Sequence, residues 1–568
     1  MQYRTLIAIG LLATGLAAQT MSGTYTVDNS ALGGPGVFTN LQSAADALKN
    51  QGVSGAVVID VIGTGTNYAG FRLEAVPGAS PSNPVTFRGQ NAPVITGSPP
   101  LGTRGVIEVT AWNPPMSGQP GYPVPGVPSV GTGPTDITFE NLDVTAGIGA
   151  STAGVYIQGC ARFTLRGCRI FQSDMGVYAV ASNTVNIEAN EFADISPTGG
   201  AGWTPFDGVI SFDSGAFGSI VQRNRIHDCN TRGIMALDVS PLVGSGANLP
   251  ITDFRVINNF FWNFTGLAPY FATCAPPFCR GGAVIVGNAN NDSLIANNSI
   301  WMTQHPTATI GLEATAIQLF TTVALNEVIN NIVKHDGSGA CIRLEDMSVP
   351  VPPTLDSNVY DVGPNAVIGA VGTTTHATLL TWQAYLAGLG SAQEMLSVAG
   401  TAGFVGPSDL HVVYTSLPCM IPGTAHPLVT RDIDGELRGP FQAPCRGADE
   451  VVPTIAVTQS GPGANFTVNI GSLITGAEYF TAFSFDLCPN GPGTGPYLGL
   501  CSNNIVALLQ TLIVPSAASL PMHFIAAGPS QTFGPYGSPG PFSVEAITFD
   551  GSSGTIRAVS AGYRLNIL

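Results

Sequence analysis

The chain has 568 residues, of which only 10% are charged and 44% are hydrophobic. Its formal charge of −16 at pH 7 argues against a protein that binds nucleic acid or another polyanion through bulk charge. The length suits more than one domain, or one long repeat array with an appendage. Seventy glycines and few helical patterns favour an all-β protein with many turns.

The first 19 residues have the pattern of a secretory signal peptide. Arg4 supplies a positive charge, residues 6–17 are mostly apolar, and Ala17 and Ala18 are small residues near a cleavage point. No later stretch has eighteen uninterrupted apolar residues. We therefore expect a secreted or cell-surface protein with no transmembrane segment.

The ten cysteines predict disulfide bonds, because their number is even and the chain is expected to be exported. Four pairs are close in sequence: Cys160/Cys168, Cys274/Cys279, Cys419/Cys445 and Cys488/Cys501. Cys229 and Cys341 remain, and we expect them to be free and buried. Zinc binding by cysteines is not expected, since no paired CxxC spacing occurs.

An asparagine recurs in the pattern apolar-x-x-Asn-x-apolar, and the stretch VINN occurs twice, at 256–259 and 328–331. The aligned asparagines are Asn190, Asn224, Asn259, Asn298, Asn331 and Asn358. Short β-type runs that begin with a small residue, such as GVYIQG at 154–159, interleave with them. Short strands that recur along the chain, with inserts of variable length between them, indicate a β-solenoid. We interpret the asparagine column as a ladder in a bend, because asparagine tolerates left-handed corners.

These interleaved Gly-[Val/Ile] and Asn-x-[Ile/Val/Phe] repeats, over about residues 135–365, resemble those of secreted bacterial right-handed parallel β-helix proteins of the pectin-lyase-like type. The resemblance implies an N-terminal helix that plugs the open end of the solenoid, and VFTNLQSAADALKNQG at 37–52 fits that role. The fold hosts lyases, hydrolases, epimerases and adhesins. Neither the Asn-Thr-Asp and Asp-Asp signatures of pectin-cleaving hydrolases nor the Asp-Pro-His of alginate epimerases occurs in the coils.

The chain divides into four predicted parts. Residues 1–19 are the signal peptide, 20–134 the cap and first coils, 135–452 the main coils and closing region, and 453–568 a C-terminal antiparallel β-sandwich. The last part alternates apolar and polar residues between Gly/Pro turns. Within the third part we expect a helical insertion at 373–396. The stretches RDIDGELRG (431–439) and GADE (447–450) are expected to close the solenoid.

A column of outward-facing residues follows the ladder, three positions after each asparagine. It contains Ala193, His227, Trp262, Trp301 and Lys334. Tryptophan rings offer flat apolar area to sugar faces, so we predict substrate binding by Trp262, Trp301 and Lys334. In the alternative, inserts such as 263–281 fold over the column and bury both rings.

Two sets of polar residues are candidates for catalysis. Asp213 and Asp238 each lie five residues after a small glycine, which would place them about 5 Å apart on adjacent coils. Such a pair can share a proton, bind a cation such as calcium, or cleave a glycosidic bond. In the alternative, both are turn residues that bond local backbone N–H groups.

The second set is Arg225 and His227, which should point the same way from one strand. A uronate lyase needs a cation beside the substrate carboxylate and a base for the C5 proton. In the alternative, this segment is a solvated face. Two functions follow: a secreted or surface protein that binds polysaccharide or another extracellular partner, and a polysaccharide lyase or glycoside hydrolase acting on an acidic polysaccharide. The missing catalytic signatures favour binding.

Overall fold

The structure is a computed structural model that describes residues 20–567 with gaps. The gaps are 98–103, 111–132, 148–151, 198–207, 214, 238–250, 266–280, 288–291, 304–313, 320–325, 346–352, 390–392, 414–415, 422, 437, 439–443, 452, 474, 490, 492–494, 498–499, 507–509, 511–512, 518, 538–539, 552–559 and 561–562. The predicted signal peptide, Cys274, Cys279 and Asp238 lie outside the described residues. Within the described part, no helix is long and apolar enough to cross a membrane.

Three long sheets, built almost wholly of parallel strands, form the main body. In spatial order, the described strands of sheet 1 are Val37–Phe38, Met21–Val27, Val53–Ile62, Val85–Gln90, Thr135–Glu140, Ala161–Arg166, Asn183–Glu188, Ile220–Gln222, Arg255–Ile257, Leu294–Ala296, Glu327–Ile329 and Thr354–Asp356. Those of sheet 2 are Tyr68–Ala69, Val94–Thr96, Asp143–Thr145, Arg169–Ser173, Glu191–Ile195, Arg225–Cys229, Phe260–Phe264, Ser299–Met302, Ile332–His335, Val359–Val362 and Val398–Ala399. Those of sheet 3 are Phe71–Leu73, Gly105–Thr110, Ala153–Gln158, Met175–Val180, Gly208–Asp213, Arg232–Leu237, Gly281–Gly287, Ala314–Leu319, Gly339–Leu344, Ala366–Val371 and the antiparallel Thr374–His376.

Each coil contributes one strand to each sheet in turn, so the chain winds as a parallel β-helix and the predicted fold class is confirmed. Alternate side chains of every strand point inward and meet those of the other two sheets. Phe87, Phe139 and Phe163 illustrate this, since they pair across neighbouring strands and their rings lie 5.3 and 5.6 Å apart. The resulting core is one continuous apolar cluster that runs the length of the coils.

The asparagine column forms the predicted ladder. Asn259 donates both its backbone N–H and its Nδ2 to Oδ1 of Asn298, each over 3.0 Å. The same pair of bonds links Asn190 to Asn224, Asn224 to Asn259, Asn298 to Asn331 and Asn331 to Asn358. All six side chains are buried, and the turns between sheets 1 and 2 are therefore fixed by side-chain hydrogen bonds.

The left-handed residue is the one before each ladder asparagine, not the ladder residue itself. Asn258 and Asn330 have φ angles of 54° and 57°. The two asparagines of VINN thus have different tasks: the first adopts the left-handed corner and the second forms the rung.

Helices cover both ends of the coils. The helix Leu41–Gln51 begins at Asn40, whose side chain accepts a hydrogen bond from the Ser43 N–H, and its buried face includes Leu41 and Leu48. At the other end, the helix Leu379–Gly388 buries Trp382 and Leu386 against the core. Both helices lie inside the stretches that the sequence predicted to be helical.

A closing segment, residues 402–450, returns over sheet 2. It contains a hairpin of strands Phe404–Gly406 and Asp409–Val412 and a short helix, Leu417–Met420. The Ala448 N–H donates to Ser299 Oγ over 3.0 Å, and Leu410, Ile433 and Ala448 form an apolar cluster with Phe260. Sheet 2 is therefore partly covered by chain that lies far from it in sequence.

The C-terminal part has two antiparallel sheets, as predicted. One contains strands Thr454–Gln459, Phe466–Gly471 and Ser530–Tyr536, and the other contains His523–Ile525, Glu478–Ser484, Phe542–Asp550 and Tyr563–Ile567. Residues from both sheets share one apolar core, which includes Ile470, Tyr479, Phe524 and Phe533. This shared core is typical of a β-sandwich.

Two of the expected disulfides are present, Cys419–Cys445 and Cys488–Cys501. The expected pairing of Cys160 with Cys168 is wrong, because both are free thiols that point into the solenoid core and bond backbone carbonyls. Cys229 and Cys341 are free and buried, as expected.

Candidate functional site

The predicted outward column of sheet 2 is present, in the predicted order. Ala193 pairs in register with His227, His227 with Trp262, and Trp301 with Lys334. Trp262 and Trp301 follow directly on the paired residues Phe261 and Ile300, so they also occupy adjacent coils. Five consecutive coils therefore carry this column, which we call the aromatic column.

Neighbouring side chains lie against the faces of the two tryptophan rings. The His227 ring stacks on Trp262, with centroids 4.3 Å apart and planes 12° apart. Lys334 Nζ lies 4.1 Å from the centroid of Trp301, and Phe404 stacks near the same ring at 6.1 Å. The indole N–H of Trp301 donates to Asp336 over 2.6 Å. Both rings are half-buried, so they present edges rather than open faces to solvent.

His227 lies between two carboxylates. Its Nδ1 is 2.6 Å from Asp228 Oδ2 and its Nε2 is 3.3 Å from Glu191 Oε1. Asp228 also accepts a hydrogen bond from Asn263, and Glu191 pairs with Arg169 over 3.5 Å. The imidazole is only 15% exposed, whereas both carboxylates are more than 40% exposed. Acidic, basic and amide side chains, already hydrogen-bonded or ion-paired with one another, thus surround His227.

A second group of polar side chains joins this face to the closing segment. Arg225 donates to Asp434 Oδ1 over 2.7 Å, and the other oxygen of Asp434 is 2.8 Å from His411 Nε2. His411 Nδ1 contacts Asp409, and its ring meets Phe260 edge-on at 5.0 Å. Arg225 and His227 do point from the same strand, as predicted, but Arg225 is engaged by a residue 209 positions away.

The charges of this group compensate one another. The hydrogen bond to Asp434 raises the pKa of His411 to about 9, so the imidazole is cationic at neutral pH, and the same bond lowers the pKa of Asp434. Burial raises the pKa of the neighbouring Asp449 to about 6, and this carboxylate accepts the Val412 N–H. Ligand atoms of His411, Asp434 and Asp449 lie within 4.8 Å of one another and could hold a cation. The imidazolium and Arg225 already supply the positive charge that a cation would bring.

Further carboxylates lie next to this group. Burial, followed by the charge of Asp432, raises the pKa of Glu436 to about 8. Asp432 is fully buried and accepts the backbone N–H groups of Asp434, Glu436 and Glu450. Sequence reasoning placed RDIDGELRG and GADE only in a closing role. The density of acidic residues in these two stretches was the available signal for their part in the site.

The alignment that put Asp213 opposite Asp238 does not hold in the structure, and Asp238 itself lies outside the described residues. Asp213 pairs in register with Leu237, and Gly208 pairs with Arg232, so the glycine-based alignment was wrong by one residue. Asp213 lies on sheet 3, fully buried, where it accepts a hydrogen bond from Tyr178 over 3.3 Å. Arg225 and His227 lie on sheet 2, so the three predicted catalytic residues that the structure describes do not form one cluster.

Residues 130–381 match the family described as right handed beta helix region. No curated protein matches the chain. An alginate lyase from Paenibacillus sp. str. FPU-7 is a similar solved structure, with 16% identity, coverage of 62% of this chain and 99% of that chain, and a TM-score of 0.35.

Two other solved structures are similar over shorter parts of their own chains. A GH136 lacto-N-biosidase from Eubacterium ramulus has 10% identity and a TM-score of 0.34, and the match covers 62% of this chain and 68% of that chain. A pectate lyase from Bacillus sp. N165 in complex with trigalacturonate has 14% identity and a TM-score of 0.27, and the match covers 52% of this chain and 76% of that chain. At these identities the likeness concerns the fold. The chain is a right-handed parallel β-helix with C-terminal antiparallel sheets.

Proposed function

We propose that this protein is an extracellular polysaccharide-binding protein whose ligand lies along the aromatic column of sheet 2. The observation that carries the proposal is the row of His227, Trp262, Trp301 and Lys334 on four successive coils, with hydrogen-bonding groups on both of its sides. Successive coils rise by about 4.8 Å, close to the length of one sugar unit in an extended chain. One sugar per coil would therefore meet equivalent positions repeatedly. Export is supported by two disulfides and the predicted signal peptide.

The local charge favours a neutral glycan. Arg225 is paired with Asp434, and Lys334 lies 3.9 Å from Asp361, while Asp228, Glu191 and Asp336 add negative charge along the column. A polyanion would have to approach these carboxylates, and the whole chain carries −16. A neutral chain instead finds donors and acceptors already held in place by their partners, so little side-chain order has to be gained on binding.

Contacts to the tryptophans differ from the predicted stacking. Because His227 and Lys334 cover ring faces, a sugar would meet the edges of Trp262 and Trp301 and the exposed carboxylates beside them. Lys334 is the most useful probe, since its side chain is 25% exposed and its ammonium lies 3.9 Å from Asp361, a loose ion pair that leaves donors for sugar hydroxyls.

A second candidate function is a lyase or hydrolase. It is favoured by the common orientation of Arg225 and His227 and by the carboxylates that flank the imidazole. In this reading Arg225 neutralises a substrate carboxylate and His227 transfers the proton. Asp213 would take no part in that chemistry at sheet 2, and a hydrolase that used it would act at sheet 3.

The experiment measures binding of hexasaccharides by calorimetry, with neutral β-glucan, xylan and mannan fragments set against hexagalacturonate and alginate fragments. We expect micromolar binding of at least one neutral class and weaker binding of both acidic ones. Lys334→Ala should weaken it about tenfold, because a hydrogen bond to a charged group contributes ~1.5 kcal/mol. Lys49→Ala is the matched control, since Lys49 also pairs with a carboxylate but lies on the capping helix.

Two results would contradict the proposal. One is equal affinity of Lys334→Ala and Lys49→Ala for every bound glycan, which would mean that the ligand does not bind at sheet 2. The other is the appearance of unsaturated or new reducing ends in the same incubations. Loss of that activity in His227→Ala would establish the catalytic alternative, and loss in Asp213→Asn would move the chemistry to sheet 3.

A further inference from the structure

The C-terminal antiparallel unit contains a cavity of about 620 Å³ that opens to solvent. Small-molecule sites in proteins typically have volumes of ~300–1,000 Å³. Close-packed protein interiors leave few voids larger than a water molecule. A space of this size between two packed sheets is therefore a candidate ligand site.

Both sheets line the cavity with apolar side chains. Phe466 and Val468 come from the three-stranded sheet, and Phe483, Val544 and Leu565 come from the four-stranded one. Toward the other end of the same strands the core is filled by aromatic rings, with Phe524 lying 5.7 Å from Tyr479 and 4.7 Å from Phe533. The two sheets are thus packed together at one end and hold the cavity at the other.

The polar part of the lining carries negative charge. It consists of Ser484, Asp486, Ser502, Asn504 and Tyr536. Asp486 is fixed by two hydrogen bonds from Asn503, of 2.6 and 3.1 Å, and the disulfide Cys488–Cys501 ties the two segments together. None of the described lining residues is a lysine, arginine or histidine. A ligand with an anionic end would therefore meet a carboxylate and no compensating cation.

The opening is marked by Phe485, which lines the cavity and is itself 74% exposed. Exposure of an aromatic ring to water is unfavourable in the ligand-free protein. A ligand that enters the cavity would cover this ring and gain contact area from it. We propose that this cavity binds an elongated apolar molecule, aliphatic or aromatic, whose polar end is uncharged or cationic. This site is separate from the aromatic column of sheet 2 and does not depend on what binds there.

The test uses the full mature chain and N-phenyl-1-naphthylamine, an uncharged fluorescent probe. We expect saturable binding at one site per chain with micromolar affinity. Decanol and decyltrimethylammonium, kept below their micelle-forming concentrations, should displace the probe. Decanoate at pH 8 should be at least tenfold less effective, because Asp486 repels its carboxylate.

Two substitutions reduce the cavity from different sides. Val544→Phe fills it from a strand, and Met522→Trp fills it from a half-buried position outside the strands. Each should weaken probe binding at least tenfold, while Ile525→Phe, at a 56% exposed position that does not line the cavity, should leave it unchanged. If Val544→Phe fails to fold, as far-UV circular dichroism would show, Met522→Trp decides. Non-saturable binding, or wild-type affinity in the folded filling variants, would overturn the proposal, and equal displacement by decanoate would overturn the assigned charge.

Discussion

Removal of one rung should open the asparagine ladder locally. In Asn298→Ala, the buried Asn259 N–H loses its acceptor at 3.0 Å, and the bonds from Asn298 Nδ2 to Val256 O and Asn331 Oδ1 disappear. Each replaced bond contributes ~1 kcal/mol, and a buried orphaned N–H adds its own desolvation cost. We expect a loss of about 3 kcal/mol in the free energy of opening of this turn.

Hydrogen exchange at the Asn259 amide measures that free energy directly. Global unfolding is less suitable, because repeat arrays need not unfold in one cooperative step. Asn186→Ala is the control, since Asn186 lies on the outer side of sheet 1 and donates to Glu188 over 2.8 Å. It should cost less than ~1 kcal/mol, as for other exposed or half-exposed changes. Equal exchange rates at Asn259 in Asn298→Ala and in the wild type would refute the view that the ladder holds the turn.

Two further predictions concern the C-terminal end of the solenoid. Burial raises the pKa of Glu394, whose carboxyl accepts a hydrogen bond from Tyr360; its stabilising effect should be complete below pH 4.5 and decline as pH rises through the higher folded pKa. In thermal melts from pH 4 to 8, Glu394→Gln should therefore become more stable relative to wild type as the pH rises. A difference in melting temperature that stays constant with pH would contradict this. Gly369→Ala should cost 1–3 kcal/mol, since a Cβ there would lie 2.3 Å from the Trp382 ring; the melting temperature checks it against Gly388→Ala, where a Cβ meets no neighbour.

The ladder could be predicted from the sequence because its chemistry is local. A left-handed corner and a buried amide must follow each strand of sheet 1, and asparagine suits both positions, as in Asn258 and Asn259. The outward column followed from the same positions, because His227 is only the third residue after Asn224. No insert lies between them that could shift the register.

The alignment of Asp213 with Asp238 was counted from Gly208 and Gly233, and these two glycines are not in register. Gly208 is the first residue of its sheet 3 strand and pairs with Arg232, whereas Gly233 is the second residue of the next strand. The core sets the register instead: Ile210 pairs with Ile234, and a one-residue slip of either strand would turn its own isoleucine outward. Glycine, which has no side chain to bury, does not report the register.

The closing role of 431–439 and 447–450 was expected from the sequence, but the contacts of this segment with sheet 2 were not. The bond between Arg225 and Asp434 joins two hydrophilic stretches that share no periodicity, and only the packing of Leu410, Ile433 and Ala448 on Phe260 brings them together. The hairpin thereby places His411 over the face from which Arg225 points. Without that packing, Arg225 would be the free cation that a lyase requires.

The same geometry limits what an aromatic column on a parallel sheet can do. Equivalent side chains on successive coils are about 4.8 Å apart, which is nearly a stacking distance for flat groups. Trp262 therefore stacks on His227, and the ammonium of Lys334 lies over the ring of Trp301. The column gains packing from this arrangement but gives up open ring faces. A glycan bound here must be recognised mainly through hydroxyl groups, and its affinity should respond to Lys334 and the paired carboxylates more than to the area of the rings.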